Sequence, residues 1–101
     1  MYGTIARMQL KPGAEQQLQQ VQQDIAAAKV PGFVAAYIYQ TDADPAVHFM
    51  AVVFESRDAY WANARSPEQD ARYRTMRELL TTDPEWHDGE IVFSHGTGAA
   101  R

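Results

Sequence analysis

No cysteine occurs among the 101 residues, which removes disulfides, thiolate nucleophiles and thiolate metal ligands together. Long apolar runs are missing too. Stretches such as Ala51-Val52-Val53-Phe54 fall far short of the roughly 20 residues that a membrane span requires, so no membrane association is expected. No apolar segment near the start reads as a secretory signal, and the expected location is the cytoplasm. Gly3, Gly13, Gly32, Gly89, Gly96 and Gly98 are scattered singly and build neither a phosphate-cradling loop nor a nucleotide fingerprint. A Ser-His-Asp order is absent as well, so hydrolase and kinase chemistry have no support.

Positive charge is also scarce. The formal net charge is −4, which repels a phosphate backbone over most of the surface. The one basic cluster is Arg65, Arg72, Arg74 and Arg77, and both Asp70 and Glu78 stand four residues from Arg74. That spacing describes i,i+4 pairing on a solvated helix face, and no nucleic-acid partner is expected.

What is present is a regular alternation of strand and helix signals. Tyr2 to Leu10 alternates with period two until Lys11-Pro12-Gly13 breaks it. Between Ala14 and Lys29, Leu18, Val21, Ile25 and Ala28 form one helical stripe, and the glutamines around them form its solvated face. Val30-Pro31-Gly32 stops that helix, Phe33 to Gln40 reads as a second strand, and Thr41 to Pro45 is a hairpin loop before a third strand over Val47 to Glu55. Ser56 caps a helix through Asn63. Ser66, Pro67 and Gln69 form a capping box for another, whose buried stripe is Tyr73, Met76, Leu79 and Leu80. Gly89 to His95, around Ile91-Val92-Phe93, is the expected last strand.

This order predicts an α+β, ferredoxin-like βαββαβ domain over residues 1–96, with helices on one face of an antiparallel sheet and a flexible tail at 97–101. The other face raises a question of cover. The third strand sets Phe49, Ala51 and Val53 against Met50, Val52 and Phe54, and the second sets Phe33, Ala35, Tyr37 and Tyr39 against Val34, Ala36 and Ile38. Apolar residues on both sides leave a contiguous patch on the helix-free face. Pairing with the same face of a second copy closes it, so a homodimer is expected.

Three segments carry a resemblance to a known family: Met1 to Lys11 before Pro-Gly, Val30-Pro31-Gly32-Phe33, and above all Ala51 to Trp61, which reads AVVFESRDAYW. They resemble antibiotic biosynthesis monooxygenase-like domains of the dimeric α/β barrel superfamily, over about residues 2 to 95. The resemblance implies a cofactor-independent monooxygenase of a small aromatic or quinol-like compound, with no cofactor and no metal. It also leaves open a non-catalytic dimeric module that binds a small apolar ligand or has a stress-related role. The haem-degrading branch of the family relies on an asparagine in the first strand and on a tryptophan and a histidine in the helical region. Here the first strand offers Arg7, Met8 and Gln9, and no histidine lies between Trp61 and Leu80.

Oxygenation without a cofactor requires a dry aromatic pocket, a proton acceptor and donors for the developing oxyanion. Asn63 and Trp61 are the candidate donors, although Asn63 better suits a helix end that bonds its own backbone, and Trp61 better suits core packing. His48 is the candidate general base, with a surface position by the hairpin as its other reading. Tyr37, Tyr39, Tyr60 and Tyr73 are the candidate substrate-binding residues. His87, Asp88 and Glu90 read as solvated residues of one turn rather than as metal ligands.

Overall fold

A computed structural model describes residues 1–96. Seven elements follow one another: β1 (Tyr2–Gln9), α1 (Glu15–Ala27), β2 (Phe33–Gln40), β3 (Val47–Phe54), α2 (Arg57–Ala64), α3 (Pro67–Arg77) and β4 (Glu85–Glu90). The sheet runs β2-β3-β1-β4, and every neighbouring pair is antiparallel. This is the ferredoxin-like α+β fold. The tail expected at residues 97–101 lies outside the described residues.

The period-two pattern of β1 decides which face is buried. Thr4 is 6% exposed, Ala6 0% and Met8 1%, whereas Ile5 on the opposite side is 55% exposed. Met8 packs with Leu10, Leu18 and Val21 of α1, and Met76 and Leu80 from the α3 region, to form the core. Burying each such side chain contributes about 1.5–3 kcal/mol.

Local chemistry sets the element ends. Ser56 Oγ accepts from Ala59 N–H at 3.1 Å to start α2, and Ser66 Oγ accepts from Gln69 N–H at 3.1 Å to start α3. The capping box is only half made: Gln69 turns its Oε1 to Arg72 at 3.2 Å, and Ser66 N–H donates to the Asn63 carbonyl at 3.0 Å. Between α1 and β2, Gly32 has φ +78°, and a Cβ there would press on Ala59 of α2. Glycine is required at that turn on both counts.

Two expectations are corrected. The last strand is Glu85–Glu90, not Gly89 to His95. Pairing with β1 runs from Arg7↔Glu85 to Tyr2↔Glu90 and ends with Ile91 N–H donating to the Met1 carbonyl. The apolar triplet lies past that point, with Val92 92% and Phe93 81% exposed. All six residues of this edge strand are exposed, so burial of a face imposes no apolar alternation on it. The second correction concerns Phe33. The β2–β3 register shifts between Phe33 and Ala35, so Phe33 pairs beside Phe54 on the helix side, ring to ring at 5.8 Å, rather than sharing a face with Tyr37.

Candidate functional site

Helices cover the sheet incompletely, and between them lies a cavity of about 650 Å³, within the range of small-molecule sites. Its floor is the helix-facing row of the sheet, including Ala36, Ile38, Met50 and Val52. Ile25 of α1 and Met76 of α3 close the apolar sides. Polar groups enter from α2, α3 and β4.

Asn63 and Arg72 make one polar pole. Arg72 Nη2 donates to Asn63 Oδ1 at 3.4 Å, and Arg72 Nε donates to Gln69 Oε1. A guanidinium has no acceptor, so it fixes which end of the amide faces it. The Asn63 Nδ2 donors are thereby left for a ligand. The expected self-capping is not seen: the Asn63 side chain goes to Arg72, while its carbonyl accepts from Ser66 Oγ at 2.8 Å.

Tyr60 makes the second pole, one helical turn earlier. Its hydroxyl donates to Asp88 Oδ1 at 2.7 Å. Burial first, and then the bond to Asp88, push this phenol well above the ordinary tyrosine range, so it keeps its proton at neutral pH. Around it the aromatics are stacked edge to face: Phe54 at 5.7 Å and Trp61 at 5.0 Å. Across the opening, Tyr73 of α3 meets Trp86 of β4 at 6.3 Å.

Four of the seven candidate residues therefore line one cavity: Tyr60, Trp61, Asn63 and Tyr73. The other three lie elsewhere. Tyr37 and Tyr39 stand on the helix-free face, 50% and 62% exposed, because their register partners Ala51 and Phe49 point that way. His48 shares the helix side of β3 but is 6% exposed at the hairpin end, where its Nδ1 lies 3.3 Å from the Ala46 carbonyl oxygen. It does not line the cavity. Its burial also corrects the reading of a surface histidine.

Sequence reading missed Thr4, Arg72, Trp86 and Asp88. Asp88 reads as a residue of a solvated turn only with the last strand at Gly89 to His95. With β4 at Glu85–Glu90, period two sends Trp86 and Asp88 to the cavity side and His87 to the other, which shifting the strand by four residues would have revealed.

An antiparallel sheet with helices on one side and an aromatic-lined cavity of small-molecule size between the layers defines a ferredoxin-like domain. The chain belongs to the antibiotic biosynthesis monooxygenase family, whose model matches residues 1–75. A putative antibiotic biosynthesis monooxygenase from Chloroflexus aurantiacus is 25% identical, with 94% of this chain and 96% of that one covered and a TM-score of 0.75. A mutant of SnoaB, a cofactor-independent oxygenase from Streptomyces nogalater, is 20% identical over 92% of this chain and 94% of that one, with a TM-score of 0.78. A putative family member from Deinococcus radiodurans is 14% identical over 96% and 98%, at TM-score 0.77. No curated protein matches the chain significantly.

Proposed function

We propose that this protein is a cofactor-independent monooxygenase that binds a small aromatic or quinol-like compound between sheet and helices. The observation that carries the reading is the convergence of Tyr60, Trp61, Asn63 and Tyr73 on one largely apolar cavity. The likeness to SnoaB, itself a cofactor-independent oxygenase, supports it. In this reading the substrate anion passes an electron to molecular oxygen. Asn63 Nδ2, oriented by Arg72, donates to the charged oxygen of the ring.

Oxygen consumption by metal-free, flavin-free protein with a panel of quinols and anthrones is the test. Uptake that falls about 100-fold or more in kcat for Asn63→Ala is expected, as for loss of one oxyanion donor. No uptake by the wild type with any of these compounds would remove the enzyme reading for that class. The second reading, a non-catalytic module for a small apolar ligand, is favoured by one observation: no histidine lines the cavity among the described residues. Ligand binding without oxygen uptake would select it.

The same proposal includes a homodimer. Ile5, Tyr37, Tyr39 and Phe49 all lie on the helix-free face and are 55%, 50%, 62% and 37% exposed. A patch of this kind on one sheet is most simply covered by its own copy about a two-fold axis.

A further inference from the structure

The β4 side of the cavity holds a polar cluster that the oxyanion chemistry does not use. Thr4 and Asp88 are register partners on the adjacent strands β1 and β4, which brings their Cβ atoms to about 5 Å on one face. Tyr60 closes the cluster from α2 through its 2.7 Å bond to Asp88. All three residues line the cavity.

Thr4 Oγ1 is buried without a hydrogen-bond partner, in a residue only 6% exposed. It lies close enough to the Tyr60 oxygen to oppose that group's upward shift, yet forms no bond of good geometry with it. A buried hydroxyl in this condition costs free energy unless a ligand or water completes it. The donor inventory says what kind of group is missing. The cluster owns two hydroxyl protons, and that of Tyr60 is committed to Asp88. Against these stand a carboxylate with about four lone-pair sites and the lone pairs of both hydroxyls. Donors are in deficit, and the nearest formal charge is negative.

We propose that Thr4, Tyr60 and Asp88 form a hydroxyl-reading subsite, which accepts a hydrogen bond from a neutral phenolic or alcoholic group of the ligand and rejects a carboxylate there. It rests on the reading of the cavity as an aromatic-ligand site, but not on oxygen chemistry. Thr4 meets the ligand oxygen with its free hydroxyl while the unbonded oxygen of Asp88 takes the ligand's proton into a hydrogen bond. No proton is transferred. Thr4 and Tyr60 lie within residues 1–75, the span of the family match, and Asp88 lies beyond it.

Three probes of one size separate the possibilities: 2-naphthol, naphthalene and 2-naphthoate. The protein's two tryptophans, Trp61 and Trp86, both line the cavity, so quenching of their fluorescence reports occupancy. The wild type should bind 2-naphthol about 10-fold more tightly than naphthalene, the size expected for a hydrogen bond to a charged group. Thr4→Val, of the same shape, should reduce the naphthol preference several-fold, while Thr4→Ser keeps it. Asp88→Asn, on the exposed edge strand, should relieve the repulsion of 2-naphthoate and raise its affinity several-fold over the wild type, even if Thr4→Val fails to fold. Equal binding of 2-naphthol and naphthalene by the wild type, or an unchanged preference in Thr4→Val, overturns the subsite. Binding of none of the probes overturns the aromatic-ligand reading together with it. The expected preference without oxygen uptake by any quinol sustains the subsite and removes only the oxygenase.

Discussion

At the scale of single residues, Tyr60 is where the fold most alters a side chain's chemistry. Its phenol, raised by burial and by Asp88, holds its proton more tightly in the folded chain than in the unfolded one, where the ordinary value is about 10. Stability is therefore insensitive to this group below about pH 10 and falls as pH rises beyond it, because only the unfolded chain then releases the proton readily. Thermal melting followed upward from about pH 9 should show a steeper alkaline decline in the wild type than in Tyr60→Phe, by up to one proton per molecule. Parallel declines would mean that Tyr60 titrates as an ordinary surface phenol. Gly3 is critical for a steric reason. A Cβ at this position would collide with the Val52 carbonyl oxygen on β3, so Gly3→Ala should cost about 1–3 kcal/mol in urea unfolding. A neutral result would show that the two strands can separate there without loss.

At the scale of elements, the junction of α2 and α3 links stability to the site. Ser66 caps α3 and holds the Asn63 carbonyl, so Ser66→Ala should cost about 1 kcal/mol and also loosen the turn that presents Asn63 to Arg72. Urea unfolding measures the first effect, and ligand affinity the second; a stability loss with unchanged affinity would separate the cap from the site. This junction was legible in the sequence because Ser-Pro-x-Gln carries its own local chemistry. So were the first three strands and α1, where apolar periodicity is the direct imprint of a buried face. β4 was not legible, since as an edge strand it alternates Trp86 and Asp88 with Glu85, His87 and Gly89, and the louder apolar triplet beside it drew the assignment. The misplacement hid half of the site, because Asp88 and Trp86 become cavity residues only once β4 has its register. The side on which Tyr37 and Tyr39 stand is not legible for another reason: an aromatic on a strand with two apolar faces announces burial without saying on which side. The bulge at the start of β2, which turns Phe33 inward, has no signature in Phe33-Val34-Ala35 alone.

For the whole molecule, the open question is what lies against the helix-free face. Three strands of eight residues and one of six, spaced about 4.8 Å apart at about 3.3 Å rise per residue, span roughly 500 Å² of flat sheet before side chains corrugate it. That is of the order of the 800 Å² which each partner contributes to an ordinary stable interface. The centre of the patch is apolar, with Ile5, Ala51 and Val53 flanked by Tyr37 and Phe49, while Arg7, Glu85 and His87 stand toward β4. An apolar centre with polar groups beside it is the usual anatomy of an interface core and rim. Light scattering at micromolar concentration should accordingly give twice the mass of one chain. Tyr37→Arg adds a charge that would have to be buried in the pair, yet in a single chain it stays half exposed and tolerable. The variant should run as a monomer with unchanged circular dichroism. The cavity opens on the other side of the sheet, so 2-naphthol affinity should change less than about three-fold if the interface only covers the sheet. A wild type that is monomeric at that concentration defeats the dimer, and a dimer that survives Tyr37→Arg places the contact on some other surface.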